Sequence, residues 1–153
     1  MARQQISVTA WSRAHPGVLY SLLCTGATWP TWSPIGSFEL ERPGPDGGEG
    51  IGAVRLFRTG LVRSHEEIGS LEQDRPFGYA LLQGMPLRDY RAAVELSEDR
   101  GGTTVRWSAS FSAAIPGTGR FYRWFLGRFI KRCALGLAAF AASPSAAGLG
   151  EPT

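Results

Sequence analysis

Two hydrophobic periods run along this chain, and the switch between them divides it. Between Arg120 and Ala142, Phe121, Phe125, Phe129, Cys133, Leu137 and Phe140 return at steps of three and four, with Tyr122, Leu126 and Ile130 widening the stripe. Arg120, Arg123, Arg128, Lys131 and Arg132 take the other side. This spacing predicts an amphipathic helix of roughly 35 Å. Burial of so many large apolar side chains requires a matching apolar surface elsewhere in the chain.

Upstream the period is mostly two. Ile6, Val8 and Ala10 alternate with Gln5, Ser7 and Thr9, which predicts a strand with one wet face. His15-Pro16-Gly17 opens a short helix whose apolar side is Val18, Leu19, Leu22 and Leu23, and Gly26 stops it. Trp29-Pro30-Thr31-Trp32-Ser33-Pro34 allows no more than one further short turn. A strand containing Phe38 and Leu40 follows, then a hairpin loop at Pro43 to Gly48, then strands at Ala53 to Thr59, Val62 to Leu71, Phe77 to Gln83, Asp89 to Ser97 and Thr103 to Ser112. Connections this short make neighbouring strands antiparallel. Tyr90, Ala92, Val94 and Leu96, with Val105, Trp107, Ala109 and Phe111, give the sheet one dry face. The long helix can lie across it. The expected fold class is therefore α+β, with about seven antiparallel strands curved around a C-terminal helix and one or two short helices after the first strand.

Composition narrows the partners. The chain has 153 residues, 43% hydrophobic and 19% charged, with a net charge of +3 and Lys131 as its only lysine. That length can bury a core without metals or disulfides. Residues 1–142 are expected to form one domain, and residues 143–153, rich in Ser, Ala, Gly and Pro, a disordered tail. The basic cluster on the last helix reads as a solvated face before a nucleic-acid or membrane surface, with docking of that helix to a partner or membrane surface as the weaker alternative, so no nucleic-acid partner is expected. No apolar run has signal-peptide or membrane-spanning length without charges, so a cytoplasmic protein without stable membrane insertion is expected, as monomer or homodimer. Cys24 and Cys133 read as reduced core residues; a bond between them is allowed but not required.

Several chemistries are excluded by spacing. His65-Glu66-Glu67 lacks the helical HExxH pattern, no GxSxG elbow marks a nucleophile, and Gly48-Glu49-Gly50-Ile51-Gly52 precedes a strand, where no helix dipole can hold phosphate. No metal and no cofactor is expected.

The order of strand, short helix, Trp29-Pro30-Thr31-Trp32, strand meander and long helix resembles the START-like helix-grip superfamily, also called SRPBCC. Its bacterial polyketide cyclase/dehydrase-like branch is the nearer likeness. Further support comes from Gly52-Ala53-Val54-Arg55, Glu66-Glu67-Ile68, Tyr79, Leu87-Arg88-Asp89-Tyr90 and Gly102-Thr103-Thr104-Val105-Arg106-Trp107. The likeness runs from Gln5 to Ala142. It implies a cavity between sheet and helix that holds a hydrophobic small molecule, aromatic or polyketide-like. Relatives either cyclise and dehydrate poly-β-ketones or carry and sense lipid-like ligands, so the reaction stays open.

Within such a cavity, Arg55, Glu66, Tyr79 and Tyr90 are the polar candidates. In a cyclase, Arg55 would hold a ketone or enolate oxygen, and Glu66 or Tyr79 would move a proton. The alternative is an Arg55–Glu66 ion pair that braces two strands. A register shift of one residue would replace Glu66 by His65 and Glu67. Trp32, Trp107, Phe125 and Phe129 form either the apolar wall of the site or ordinary core.

Overall fold

Short turns lay each strand beside its predecessor, and the sheet follows from that. The computed structural model describes residues 3–70 and 76–144. Its elements are β1 (Gln4–Ser12), α1 (Pro16–Cys24), a 3-10 turn (Gly26–Thr28), α2 (Trp29–Trp32), β2 (Ser37–Arg42), β3 (Val54–Thr59), β4 (Val62–Ser70), β5 (Phe77–Gln83), β6 (Leu87–Asp99), β7 (Gly102–Ala113) and α3 (Gly119–Ala141). The seven strands form one antiparallel curved sheet in the order β1-β7-β6-β5-β4-β3-β2. Register shifts at Leu40/Arg42, His65/Glu66, Ile68/Ser70 and Arg88/Arg91 accompany that curvature, since a bulged strand bends and twists more strongly. The expected end of β4 at Leu71 and the tail from residue 145 onward lie outside the described residues.

The meander of β2 to β7 matches the alternation in the sequence. Tyr90, Ala92 and Val94 of β6 and Val105, Trp107, Ala109 and Phe111 of β7 are buried on one face. Pairing of β1 with β7 is the one strand contact made across nearly the whole chain, from Gln4 opposite Phe111 to Ser12 opposite Thr103. At the start of α1, His15 Nδ1 accepts a hydrogen bond from Gly17 N (3.1 Å), and Pro16 occupies the first turn, where its missing N–H costs nothing.

Helix α3 buries most of the stripe its periodicity suggested, turned toward its small residues. Leu126, Ile130, Cys133 and Leu137 are buried with Ala134, Ala138 and Ala141, and Tyr122, Phe129 and Phe140 pack against the core, whereas Phe121 and Phe125 are exposed. The cause is size. The helix packs against β1, β7 and α2 at close range, with Ser12 Oγ donating to Ala138 O at 2.7 Å, and its alanines fit there where phenylalanine would not. Gly136 is the tightest point, because a methyl group on it would overlap the carbonyl oxygen of Trp32.

Gly136→Ala is therefore expected to lower stability by about 1–3 kcal/mol through overpacking. Gly127→Ala, where an added methyl meets nothing within 4 Å, should instead raise it by about 0.5–1 kcal/mol through helix propensity. Thermal denaturation of the two variants gives opposite shifts if α3 is seated as described.

Candidate functional site

The inner face of β3 to β7 and the facing side of α3 enclose a slot. Strand alternation points Phe57 of β3, Glu66 of β4, Tyr79 of β5, Tyr90 of β6 and Trp107 of β7 into it, and α3 closes it with Leu126, Phe129 and Ile130. Trp29 forms the floor. Its ring lies edge-on to Trp107 (5.7 Å between centroids, 85°) and to Tyr79 (6.4 Å, 86°), and tilted against Phe57 (4.9 Å). The unoccupied space is ≈ 470 Å³ including its open end, yet only ≈ 40 Å³ admits the centre of a water molecule. That is room for about three waters, so the slot is thin rather than roomy.

Among the described residues, Glu66 is the only carboxyl group or basic side chain on the lining. The register settles which way it faces: Glu66 lies opposite Arg55 on β3 and points inward, while the flanking residues point out and pair there. His65 Nδ1 lies 2.7 Å from Glu41 Oε2, and Glu67 Oε2 is 3.0 Å from Arg42. Removal from water raises the Glu66 carboxyl from an ordinary 4.5 to about 8, although the positive charge of Arg55 opposes the shift. Glu66 therefore remains largely protonated near neutral pH and can donate a hydrogen bond. Burial pushes Tyr79 and Tyr90 well up; Tyr90 and Glu66 add to the rise at Tyr79, and Glu66 to that at Tyr90, where a hydrogen bond with Tyr79 opposes it, so both keep their hydroxyl protons. Trp107 Nε1 donates to the Tyr79 hydroxyl at 3.3 Å.

Arg55 is buried but turned away from the slot. Its guanidinium donates to the carbonyls of Leu23 (2.9 Å) and Cys24 (2.6 Å) at the end of α1. Its Nε lies 2.9 Å from Glu49 Oε1, close enough for an ion pair although the N–H is not aimed at the oxygen. The gap it borders together with Glu66 is too narrow for water. The brace considered from the sequence thus exists with a different partner: Glu49, in the glycine-rich loop before β3. An acid in that loop, six residues ahead of an inward arginine, was the signal available.

Other expected residues separate in the same way. Tyr90, Trp107 and Phe129 line the slot. Trp32 sits beside the lining and supports Trp29 (4.7 Å), with its Nε1 donating to Thr28 Oγ1. Phe125 is 43% exposed and stacks on Phe121 (6.2 Å), outside the slot. Spacing alone did not distinguish Trp29, Phe57, Met85, Leu126 and Ile130, which do line it. Cys24 and Cys133 are free thiols. Among the described residues, no three His, Cys, Asp or Glu side chains converge to hold a metal.

A curved antiparallel sheet gripping a C-terminal helix over an aromatic slot defines a START-like, or SRPBCC, domain. The chain belongs to the family described as polyketide cyclase / dehydrase and lipid transport, whose model matches residues 3–142. Its fold is similar to that of the protein XoxI from Bacillus cereus (TM-score 0.74, 16% identity, 95% of this chain and 99% of that one). It is also similar to a START superfamily protein from Mycobacterium smegmatis (0.72, 14%, 90% and 96%) and to Ara h 8.0201 (0.71, 15%, 92% and 98%). No curated protein matches the sequence. No helix among the described residues is long and apolar enough to cross a membrane.

Two predictions separate the roles of Arg55 and Glu66. Arg55→Ala leaves Glu49 without its counter-ion and two helix-end carbonyls without their donor, and should cost about 3–5 kcal/mol in urea unfolding. Arg58→Ala, which breaks an exposed pair with Glu39, should cost no more than about 1 kcal/mol. For Glu66 the folded-state value lies above the unfolded one, so its contribution to stability is complete below pH 4.5 and is lost as pH rises through about 8. Glu66→Gln should abolish that decline, gaining on the order of a few kcal/mol over the wild type by the alkaline end. Melting temperatures measured across that range check it.

Proposed function

We propose that the protein binds a small, flat, hydrophobic molecule bearing a carbonyl oxygen, aromatic or polyketide-like, in the slot between sheet and α3. The observation that carries this reading is the protonated carboxyl of Glu66 set among aromatic rings, with the buried hydroxyls of Tyr79 and Tyr90 on the same lining. A mostly apolar site takes its specificity from a few placed donors, and three donors favour a ligand with acceptor oxygens. Trp107 and Phe129 supply flat apolar contact. The family description, with its cyclase, dehydrase and lipid-transport members, is consistent with such a guest.

The same acid suits loss of water from a β-hydroxy ketone. Tyr79 or Tyr90 holds the ketone oxygen while Glu66 protonates the departing hydroxyl as the C–O bond breaks. The resulting carboxylate takes the proton from the α-carbon, whose C–H electrons form the new double bond, and Glu66 returns to its acid form. Arg55 takes no part. The competing reading, carriage without turnover, is favoured by the withdrawal of Arg55 from the slot.

Native mass spectrometry of freshly purified protein should show a co-purified small molecule. In displacement assays, 1-tetralone is expected to bind roughly tenfold more tightly than its hydrocarbon counterpart tetralin, the worth of one good hydrogen bond. Glu66→Ala should erase the difference. Equal affinity for the two compounds in the wild type would remove Glu66 from ligand recognition.

A further inference from the structure

The outward face of α3 is the least ordinary surface of this domain. At about 100° per residue, Phe121, Trp124, Arg128, Lys131, Arg132 and Leu135 fall on the side opposite the buried stripe. Phe121, Trp124 and Leu135 are 55%, 59% and 51% exposed. Apolar rings and cations are interleaved there, with the Arg128 guanidinium 5.3 Å from the centre of the Trp124 ring. Residues 119–141 hold five cations and no acid, more positive charge than the whole chain's net +3. Among the described residues, no salt bridge reaches any of the five.

Among the other exposed aliphatic side chains, Leu61 lies in the β3–β4 turn, two residues beyond Thr59 of the slot lining. Ala114 N donates to Pro86 O, which sets the exposed Ile115 beside the β5–β6 turn. Phe125 then links the outward face of α3 to Phe129 in the slot wall.

We propose that this face docks peripherally on an anionic phospholipid bilayer, with Phe121, Trp124 and Phe125 at headgroup depth and the α3 cations against lipid phosphates. Aromatic rings favour the membrane–water interface, and each cation near an anionic leaflet adds attraction. A second copy of the chain fits poorly, because a two-fold contact would set these unpaired cations against their own copies. Nucleic acid would use the charge but leave Leu135 and the Phe121–Phe125 stack in water. Such docking does not depend on what the slot binds.

Sedimentation of the full chain with vesicles of phosphatidylcholine alone, or with added phosphatidylglycerol, tests it. We expect binding only to the anionic vesicles, weakened by salt. It should weaken by at least roughly tenfold in the double variant Arg128→Glu/Arg132→Glu and likewise in Phe121→Ser/Trp124→Ser. All four side chains are exposed, so the melting temperature should be unchanged. The proposal is overturned if anionic vesicles do not sediment the wild type, if neutral vesicles do so equally, or if neither variant loses binding. A dimer in solution that the same variants dissociate, or retention on single-stranded RNA without retention on vesicles, would overturn it as well.

Discussion

The buried guanidinium of Arg55 is the constraint on which the rest of the structure depends. An isolated cation at 2% exposure would cost several kcal/mol, and this fold meets it at the end of α1, where unsatisfied carbonyls already carry partial negative charge. Leu23 O and Cys24 O accept from it, and Glu49 balances its charge. The same Glu49 oxygen accepts from Gly26 N at 2.9 Å, where any side chain would collide with the Phe38 ring. One cation thereby joins β3, the end of α1, the loop before β3 and the turn that leads into α2. Trp29 and Trp32 issue from that turn, so the floor of the slot is located by an interaction that lies outside the slot. The rings of Trp29 and Phe77 lie 5.9 and 5.4 Å from the guanidinium carbon and tighten the arrangement.

This commitment of Arg55 decides the electrostatics of the site. Had it turned toward Glu66, directly opposite on β4, the pair would have been ionised and the carboxylate a fixed anion. With its hydrogen bonds directed elsewhere, Arg55 still lowers the Glu66 value through space, but loss of hydration prevails and the carboxyl keeps its proton. A slot with a neutral acid and two phenols, one of them held by the Trp107 indole, favours uncharged, oxygen-bearing guests over carboxylates or phosphates.

The sequence revealed the elements more readily than their partners. Alternation in β6 and β7 was legible because each strand has one wet face, and the helix at α3 was legible because its stripe repeats over six turns. Three features were not. Pairing of β1 with β7 joins residues about a hundred positions apart, and no local pattern encodes it. The buried side of α3 was decided by the size of Ala134, Ala138 and Gly136 rather than by hydrophobicity, which placed Phe125 in water. Parity correctly sent Arg55 and Glu66 to the inner face, but a long flexible side chain can leave the place where its Cα points it, and Arg55 does.

The thinness of the slot follows from the same packing and limits how a guest could enter. Trp29 and Trp107 are at most 2% exposed and hold one another edge-on, so the floor is fixed by several ring contacts at once. Phe129 and Met85 are only partly buried; Phe129 lies near the middle of α3 and Met85 in the β5–β6 turn. A flexible thioether and a ring at the edge of the core can change rotamer at far smaller cost than a tryptophan in a packed cluster. Widening therefore begins with Phe129 and Met85. The floor selects guests by flatness and the mouth by how far Phe129 can swing, so length along the slot is the dimension in which ligands are tolerated most freely.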